Sequence, residues 1–272
     1  MADPLGILAG GGPFPGRVAA AAQAAGRPVF VVALQGFAEP AVIGAFPHAT
    51  ARMGAAGQIL GLLRGNNCRD VVLVGPVKRP SILDVRPDAE GARLLARIGR
   101  AAFTGDDGLL AAVVRVLGEE GFRVLGAHEV LREAVGPAGL LGAAAPDAQA
   151  MDDVTRGQAV LHALGKADVG QACVVQQGIV LAVEAIEGTD AMLARAGGLA
   201  RPGPGGVLVK LVKPGQDRRA DLPAIGPDTI RGVAFEAGGT LLHDRPACID
   251  AADAAGLFLL GVEPSKPRER SA

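Results

Sequence analysis

Short apolar runs alternate with helix-favouring stretches along the first part of the chain. Residues 5–9 and 28–34 are apolar enough to form buried strands, and the alanine-rich stretch 17–25 between them favours a helix. Glycines follow the first run, and Gly26 suits the end of the helix. The order of strand, glycine loop, helix and strand predicts a parallel sheet with helices on its faces.

The same alternation continues to residue 133. Asp106 and Asp107 suit the first turn of a helix, where acidic side chains offset the helix dipole. The predicted elements are a helix at 58–64, a strand at 70–74, helices at 89–102 and 106–120, and a strand at 122–125. This pattern predicts a Rossmann-like N-terminal domain over residues 1–133.

Residues 134–150 contain several glycines and prolines and few charges, which predicts a linker, with an alanine-rich helix as the alternative. Residues 151–272 then predict a distinct C-terminal α/β domain that carries the catalytic residues. Its predicted elements are helices at 154–164, 190–196, 230–237 and 250–257, and strands at 172–175, 179–185, 207–212, 240–243 and 257–262. The predicted fold class is therefore α/β with two domains.

The composition excludes several functions. With 27 basic and 28 acidic residues the net charge is -1. The chain as a whole therefore has no electrostatic attraction to nucleic acid, and we expect no such partner. The three cysteines lie far apart, which suits buried thiols in a reducing compartment. The sequence has no run of about 20 apolar residues, so no membrane-spanning helix is predicted.

The segment 210–229 concentrates the most chemistry. It holds two lysines, two arginines and three prolines, together with Asp217, Asp221 and Asp228. Clustered cations beside carboxylates are what a phosphate ester and a hard divalent metal require together, so we expect Mg²⁺ or Mn²⁺ bound by these aspartates. A solvated loop with balanced charges is the alternative, although the prolines restrict its conformations.

Two loops of the N-terminal half follow predicted strands. The backbone of Gly10, Gly11 and Gly12 could approach a phosphate at a helix N-terminus, or could form only a tight turn. Lys78 and Arg79 could bind phosphate, or could form a solvent-facing basic pair.

Two polar stretches of the C-terminal half have simple structural explanations. Gln176 and Gln177 read as a turn between two strands, and Thr189 or Asp190 as a helix N-cap.

These stretches together resemble the UDP-2,3-diacylglucosamine pyrophosphatase family of lipid A biosynthesis, the branch unrelated to calcineurin-like phosphoesterases. The matching segments span nearly the whole chain: 7–12, 75–79, 105–108, 176–178, 184–190 and 213–229. The resemblance implies hydrolysis of UDP-2,3-diacylglucosamine to UMP and 2,3-diacylglucosamine 1-phosphate (lipid X), with a divalent metal.

We expect Asp221 by preference, and Asp228 second, to position or deprotonate the attacking water. Lys213 and Gln216 are the other catalytic candidates in the same segment. The predicted substrate-binding residues are Gly10, Gly11, Gly12, Lys78, Arg79, Gln176, Gln177, Gly188, Thr189, Asp190, Lys210, Arg219 and Thr229.

The expected ligands are UDP-2,3-diacylglucosamine and lipid X. We expect a cytoplasmic protein with peripheral contact to the inner membrane. The acyl groove is expected to consist of residues near 179–185 and 257–260. The sequence does not decide between a monomer and a homodimer. The alternative is a non-catalytic nucleotide-sugar or lipid-phosphate binding protein, which would not need the carboxylates. A Rossmann oxidoreductase fits less well, because no acidic ribose reader ends the second strand.

Overall fold

The computed structural model describes most of the chain, in the ranges 3–77, 86–98, 106–214, 216–219, 223–225 and 233–264. The chain divides into two compact units. The N-terminal unit comprises Met1–Arg132 and Gln216–Asp221, and the C-terminal unit comprises Glu133–Gly215 and Leu222–Ala272. The segment 210–229 therefore contributes residues to both units.

The N-terminal unit contains a parallel sheet between helices. Its described strands are β1 (Leu5–Ala9), β2 (Val29–Leu34), β3 (His48–Ala51), β4 (Asp70–Val74) and β5 (Arg123–Leu125). Its described helices are α1 (Phe14–Ala24), α2 (Pro40–Ile43), α3 (Ala56–Gly65), α4 (Ala89–Ile98), α5 (Asp106–Glu119) and α6 (Ala127–Val130). The apolar runs of β1 and β2 are almost wholly buried because helices cover both faces of the sheet.

The strand order is β3-β2-β1-β4-β5, with all neighbours parallel. The order reverses between β1 and β4, so the loops after these two strands leave in opposite directions. Such a switch point opens a crevice at the carboxyl ends of the strands, where ligands of α/β proteins bind. The predicted Rossmann-like architecture is confirmed.

The amino-terminal edge of this sheet carries a buried carboxylate. Asp70 accepts from Arg27 Nη2 at 2.6 Å and from Arg123 Nε and Nη2 at 2.7 and 2.6 Å. The hydrogen bonds from Arg123, followed by those from Arg27, lower the pKa of Asp70 despite its burial. This group ties the start of β4 to β5 and to the segment before β2.

We expect Asp70→Asn to lower the free energy of unfolding by about 2 kcal/mol at pH 7, less than the loss of a fully buried pair, because Arg123 is largely exposed. Since the folded pKa lies below the unfolded one, this contribution is complete above about pH 5 and disappears as the pH falls through the lowered pKa. Urea unfolding at pH 7 and pH 3 measures both effects.

The matched control is Asp3→Asn, which removes the exposed 3.5 Å ion pair to Arg69 near the same edge. We expect a change below about 0.5 kcal/mol there. Equal effects of the two substitutions, or a difference that does not shrink at low pH, would contradict the role of Asp70.

The C-terminal unit has a mixed sheet. Its strands are β6 (Gly139–Leu141), β7 (Ala172–Gln176), β8 (Ile179–Val183), β9 (Val207–Lys210), β11 (Val233–Glu236) and β13 (Leu259–Val262), and β10 (Ala224–Ile225) pairs with β12 (Leu241–Leu242) separately. The order is β6-β13-β11-β9-β7-β8. The strands β13, β11 and β9 are parallel to one another, β6 is antiparallel to β13, and β7 is antiparallel to both β9 and β8.

Helices cover both faces of this sheet. The helix α7 (Ala148–Gly165) packs on one face, where Gly157 lies against Val209. The helices α8 (Thr189–Gly197) and α9 (Arg245–Ala254) contribute Met192 and Cys248 to a core on the other face, around the fully buried Phe235. The α/β class predicted for this part of the chain is confirmed.

Two expectations for this unit differ from the structure, and the predicted acyl groove stays a prediction. The helix predicted at 230–237 is wrong where the structure describes it, because 233–236 form the central strand β11. The segment 134–150, predicted as a linker, contains β6 and the first turn of α7. The two segments of the predicted acyl groove lie in β8 and near β13, which three strands separate by about 19 Å.

The cysteines Cys68, Cys173 and Cys248 are free and buried, as predicted. Burial raises the pKa of the Cys68 thiol to about 11 and that of Cys173 to about 12, so both stay protonated.

Candidate active site

A buried lysine ends the strand β9. Lys210 is only 6% exposed, and it lies on the sheet face that otherwise carries Leu208 and Phe235. Its Nζ donates to Thr189 Oγ1 at 2.8 Å and to the carbonyl oxygen of Ala224 at 3.2 Å. The sheet thus holds a cation at the carboxyl end of a strand.

Thr189 links this lysine to a buried carboxylate. Its hydroxyl donates to Glu184 Oε1, and Glu184 Oε2 accepts from the backbone N–H of Gln171 at 3.0 Å. We call Glu184, Thr189 and Lys210 the polar triad. It joins the end of β8, the start of α8 and the end of β9.

The start of α8 differs from the prediction. Gly188, with φ of 81°, is the N-cap, so neither Thr189 nor Asp190 has that role. Thr189 is the first helical residue, and its side chain is used in the polar triad instead. Asp190 is exposed in the first turn, where its charge offsets the helix dipole.

Lys213 lies three residues beyond β9. Its Nζ forms a 2.6 Å ion pair with Asp168 Oδ1, and Lys213 is mostly buried. Asp168 is held in the left-handed region, with φ of 54°, after α7. The structure therefore anchors this predicted catalytic lysine to a carboxylate of its own unit.

Gln176 and Gln177 lie far from the polar triad. Lys210 pairs with Ala172 at the start of the antiparallel strand β7, so Gln176 is about 14 Å away along that strand. The Gln176 amide donates to the carbonyl oxygens of Arg201 and Pro204 at 2.9 and 2.6 Å and accepts from the Arg201 N–H at 2.8 Å. This glutamine fastens the loop before β9.

Gln177 also binds the loop before β9. Its backbone N–H donates to Asp153 at 2.9 Å, and its side chain donates to the carbonyl oxygen of Pro202 at 3.1 Å. The structure does not bring Gln176 and Gln177 together with Thr189 and Lys210.

The glycine loop of the N-terminal unit lies at the switch point between β1 and β4. Gly10 N–H donates to the Val74 carbonyl oxygen and Gly11 N–H to that of Pro76, both at 2.9 Å. A Cβ on Gly10 would lie 2.4 Å from the carbonyl oxygen of Gly75, so the two loops approach too closely for any side chain.

The third glycine donates to a carboxylate. Gly12 N–H bonds to Glu39 Oε1 at 2.9 Å. Close packing therefore accounts for Gly10, and all three N–H groups of the loop have protein acceptors. A phosphate could bind these N–H groups only by displacing such partners.

Asp217 and Arg219 belong to the N-terminal unit, in which Gln216 is buried. Asp217 Oδ1 accepts from the Arg219 N–H and Nε at 3.0 and 2.9 Å, and Oδ2 accepts from Nη2 at 2.7 Å. These bonds lower the pKa of Asp217.

Arg219 donates to both oxygens of Asp217, so a metal ion would have to compete with this guanidinium for the carboxylate. No three His, Cys, Asp or Glu side chains are grouped to hold a metal within the part of the chain that the structure describes. The other predicted ligands, Asp221 and Asp228, lie outside the described residues, as do Lys78, Arg79 and Thr229.

Sequence reasoning missed Glu184 as a site residue. The available signal was its place in the polar stretch 184–190 directly after an apolar strand. Its contact with Thr189 and, through it, with Lys210 depends on the fold.

Two family models match consecutive parts of the chain: the LpxI N-terminal domain over residues 4–134 and the LpxI C-terminal domain over residues 137–260. The chain is also 42% identical to the UDP-2,3-diacylglucosamine pyrophosphatase LpxI of Caulobacter vibrioides, over 96% of this chain and 98% of that protein. The chain belongs to the LpxI family. The resemblance stated from the motifs is confirmed.

The match to the N-terminal domain ends at residue 134 and the match to the C-terminal domain begins at 137, close to Arg132, where the long first segment of the N-terminal unit ends. The polar triad and Lys213 lie within the LpxI C-terminal domain, and the glycine loop within the LpxI N-terminal domain. Among the described helices of this LpxI family member, none combines the length and apolar character needed to cross a bilayer.

Proposed function

We propose that this chain hydrolyses the pyrophosphate bond of UDP-2,3-diacylglucosamine, releasing UMP and lipid X in lipid A biosynthesis. The observation that carries the proposal is its 42% identity, over nearly its full length, to a pyrophosphatase with this substrate in its name. The polar triad supports it, because a buried ammonium at the carboxyl end of a strand suits an anionic substrate.

In this reaction a water oxygen attacks the phosphorus on the diacylglucosamine side. The bond from that phosphorus to the bridging oxygen breaks, so that UMP leaves. Asp221, or Asp228 in second place, positions the water or accepts its proton. Lys210 offsets the charge that develops on the phosphoryl oxygens.

A requirement for Mg²⁺ or Mn²⁺ belongs to the same proposal. When bound, the ion would neutralise charge on the phosphate oxygens. Asp221 and Asp228 are the candidate ligands, since Arg219 already binds the carboxylate of Asp217. We expect chelation to abolish turnover and either ion to restore it, whereas full activity after exhaustive chelation would remove the metal from the proposal.

We also propose peripheral contact with the cytoplasmic face of the inner membrane, because the substrate carries acyl chains. Washing membranes with carbonate or high salt tests this, and resistance to both would count against peripheral attachment. Light scattering of the purified protein would show whether it forms a homodimer.

The function is tested by incubating the purified protein with UDP-2,3-diacylglucosamine and Mg²⁺ in ¹⁸O-labelled water. We expect stoichiometric UMP and lipid X, with the label in the phosphate of lipid X. Label in UMP would place the attack on the other phosphorus. Substrate binding without any UMP would instead indicate a non-catalytic binding protein.

A further inference from the structure

We propose that Glu184 is a positioning residue, which holds Lys210 in place through the hydroxyl group of Thr189. The inference rests on the proposed function and deepens it, since it names a group that helps to orient the cation of that site. It assigns to the loop between β8 and α8 a direct role in arranging the end of β9.

The direction of each hydrogen bond in the polar triad follows from the chemistry of its members. An ammonium has only donors, so the contact at 2.8 Å places a lone pair of Thr189 Oγ1 toward Lys210. The hydroxyl group has a single proton, and Glu184 Oε1 accepts it. Without this acceptor the proton of Thr189 would be free to rotate toward Lys210.

Glu184 is itself held on several sides. Its Oε2 accepts from the Gln171 N–H at 3.0 Å, and its backbone N–H donates to the Ala172 carbonyl oxygen at 2.9 Å. The residue is only 7% exposed. Its carboxylate therefore gives Thr189 a fixed acceptor rather than a mobile one.

The surroundings of the triad indicate a purpose other than stability. Lys210 shares its sheet face with apolar side chains, and buried charged groups often stabilise a fold no more than apolar residues of the same size would. A lysine side chain is flexible, so an unguided ammonium would lose orientation before it met a charged substrate. A fixed chain of hydrogen bonds provides that orientation.

The test compares steady-state kinetics of Glu184→Gln, Thr189→Val and Thr189→Ser with the wild type. We expect the first two to lower kcat/KM by about 10–100-fold, mainly through kcat, as is typical when a supporting contact is removed. Thr189→Ser keeps the hydroxyl group and should recover most of the activity. Thermal unfolding of each variant accompanies the kinetics.

Coupling to Lys210 separates positioning from general stabilisation. In a Lys210→Met background, Glu184→Gln and Thr189→Val should each lower kcat/KM by less than about threefold more, because the group they position is gone. The matched control is Glu187→Gln, which removes an exposed ion pair to Arg195 at 2.7 Å in the same loop and should leave kinetics unchanged.

Equal losses with and without Lys210 would overturn the inference, and so would wild-type kinetics of Thr189→Val. If Glu184→Gln fails to fold, the comparison of Thr189→Val with Thr189→Ser still tests the inference. Valine removes the hydroxyl group, whereas serine retains it. A wild-type protein that releases no UMP would defeat the proposed function itself, an outcome distinct from additive losses in an active enzyme.

Discussion

The Asp221→Asn protein should keep its fold and lose about 10²–10⁴-fold in kcat, the usual contribution of a positioned general base. The amide has almost the same shape as the carboxylate but cannot accept a proton from water. If the side chain also binds the metal, the neutral amide weakens that contact and the loss adds to the first. Single-turnover release of UMP, with circular dichroism as the folding check, measures the effect.

Asp217→Asn is the comparison within the same segment. Because Arg219 already binds both oxygens of Asp217, we expect its loss of kcat to stay within about tenfold. A folded Asp221→Asn protein with wild-type kcat would defeat the assignment. If Asp228→Asn alone is inactive, the role of base passes to Asp228.

The Rossmann-like half could be predicted because each of its long elements carries its own periodic signal. The four-residue elements α2, β3 and α6 were not predicted, because four residues are too few to show a period, whereas the three-residue strand β5 was predicted. The central strand β11 was predicted as a helix because Ala and Glu favour helices, and a short buried run does not distinguish the two structures. Burial on both faces, between the parallel neighbours β9 and β13, decided in favour of the strand.

The candidate site was only partly predictable, for a topological reason. Gln176 and Lys210 were both predicted to bind the substrate, and strand ends lie at one edge of a sheet only when the strands are parallel. The strand β7 runs antiparallel to β9, so Gln176 ends at the opposite edge from Lys210. Glu184 escaped notice because its role depends on Thr189 meeting Lys210, a contact between residues 21 positions apart.

A second large effect should come from Gly170, which has φ of 54° and lies against the backbone of Glu184. A Cβ there would be 1.9 Å from the Glu184 carbonyl oxygen, so Gly170→Ala must displace the end of β8. We expect the free energy of unfolding to fall by about 2–5 kcal/mol, from backbone strain together with overpacking. Urea unfolding measures the loss, and kcat/KM should fall because Glu184 moves with its backbone.

Gly178→Ala isolates the steric part of this effect. Gly178 also has a positive φ, of 78°, but its added Cβ would have no neighbour within 4 Å. That variant should lose only the backbone term, about 1–2 kcal/mol, and keep kcat/KM close to the wild-type value. Equal losses of stability in the two variants would mean that the Glu184 backbone moves away from the added Cβ without lowering the free energy of unfolding. A destabilised but fully active Gly170→Ala protein would show that catalysis tolerates a displaced Glu184, and would count against its positioning role.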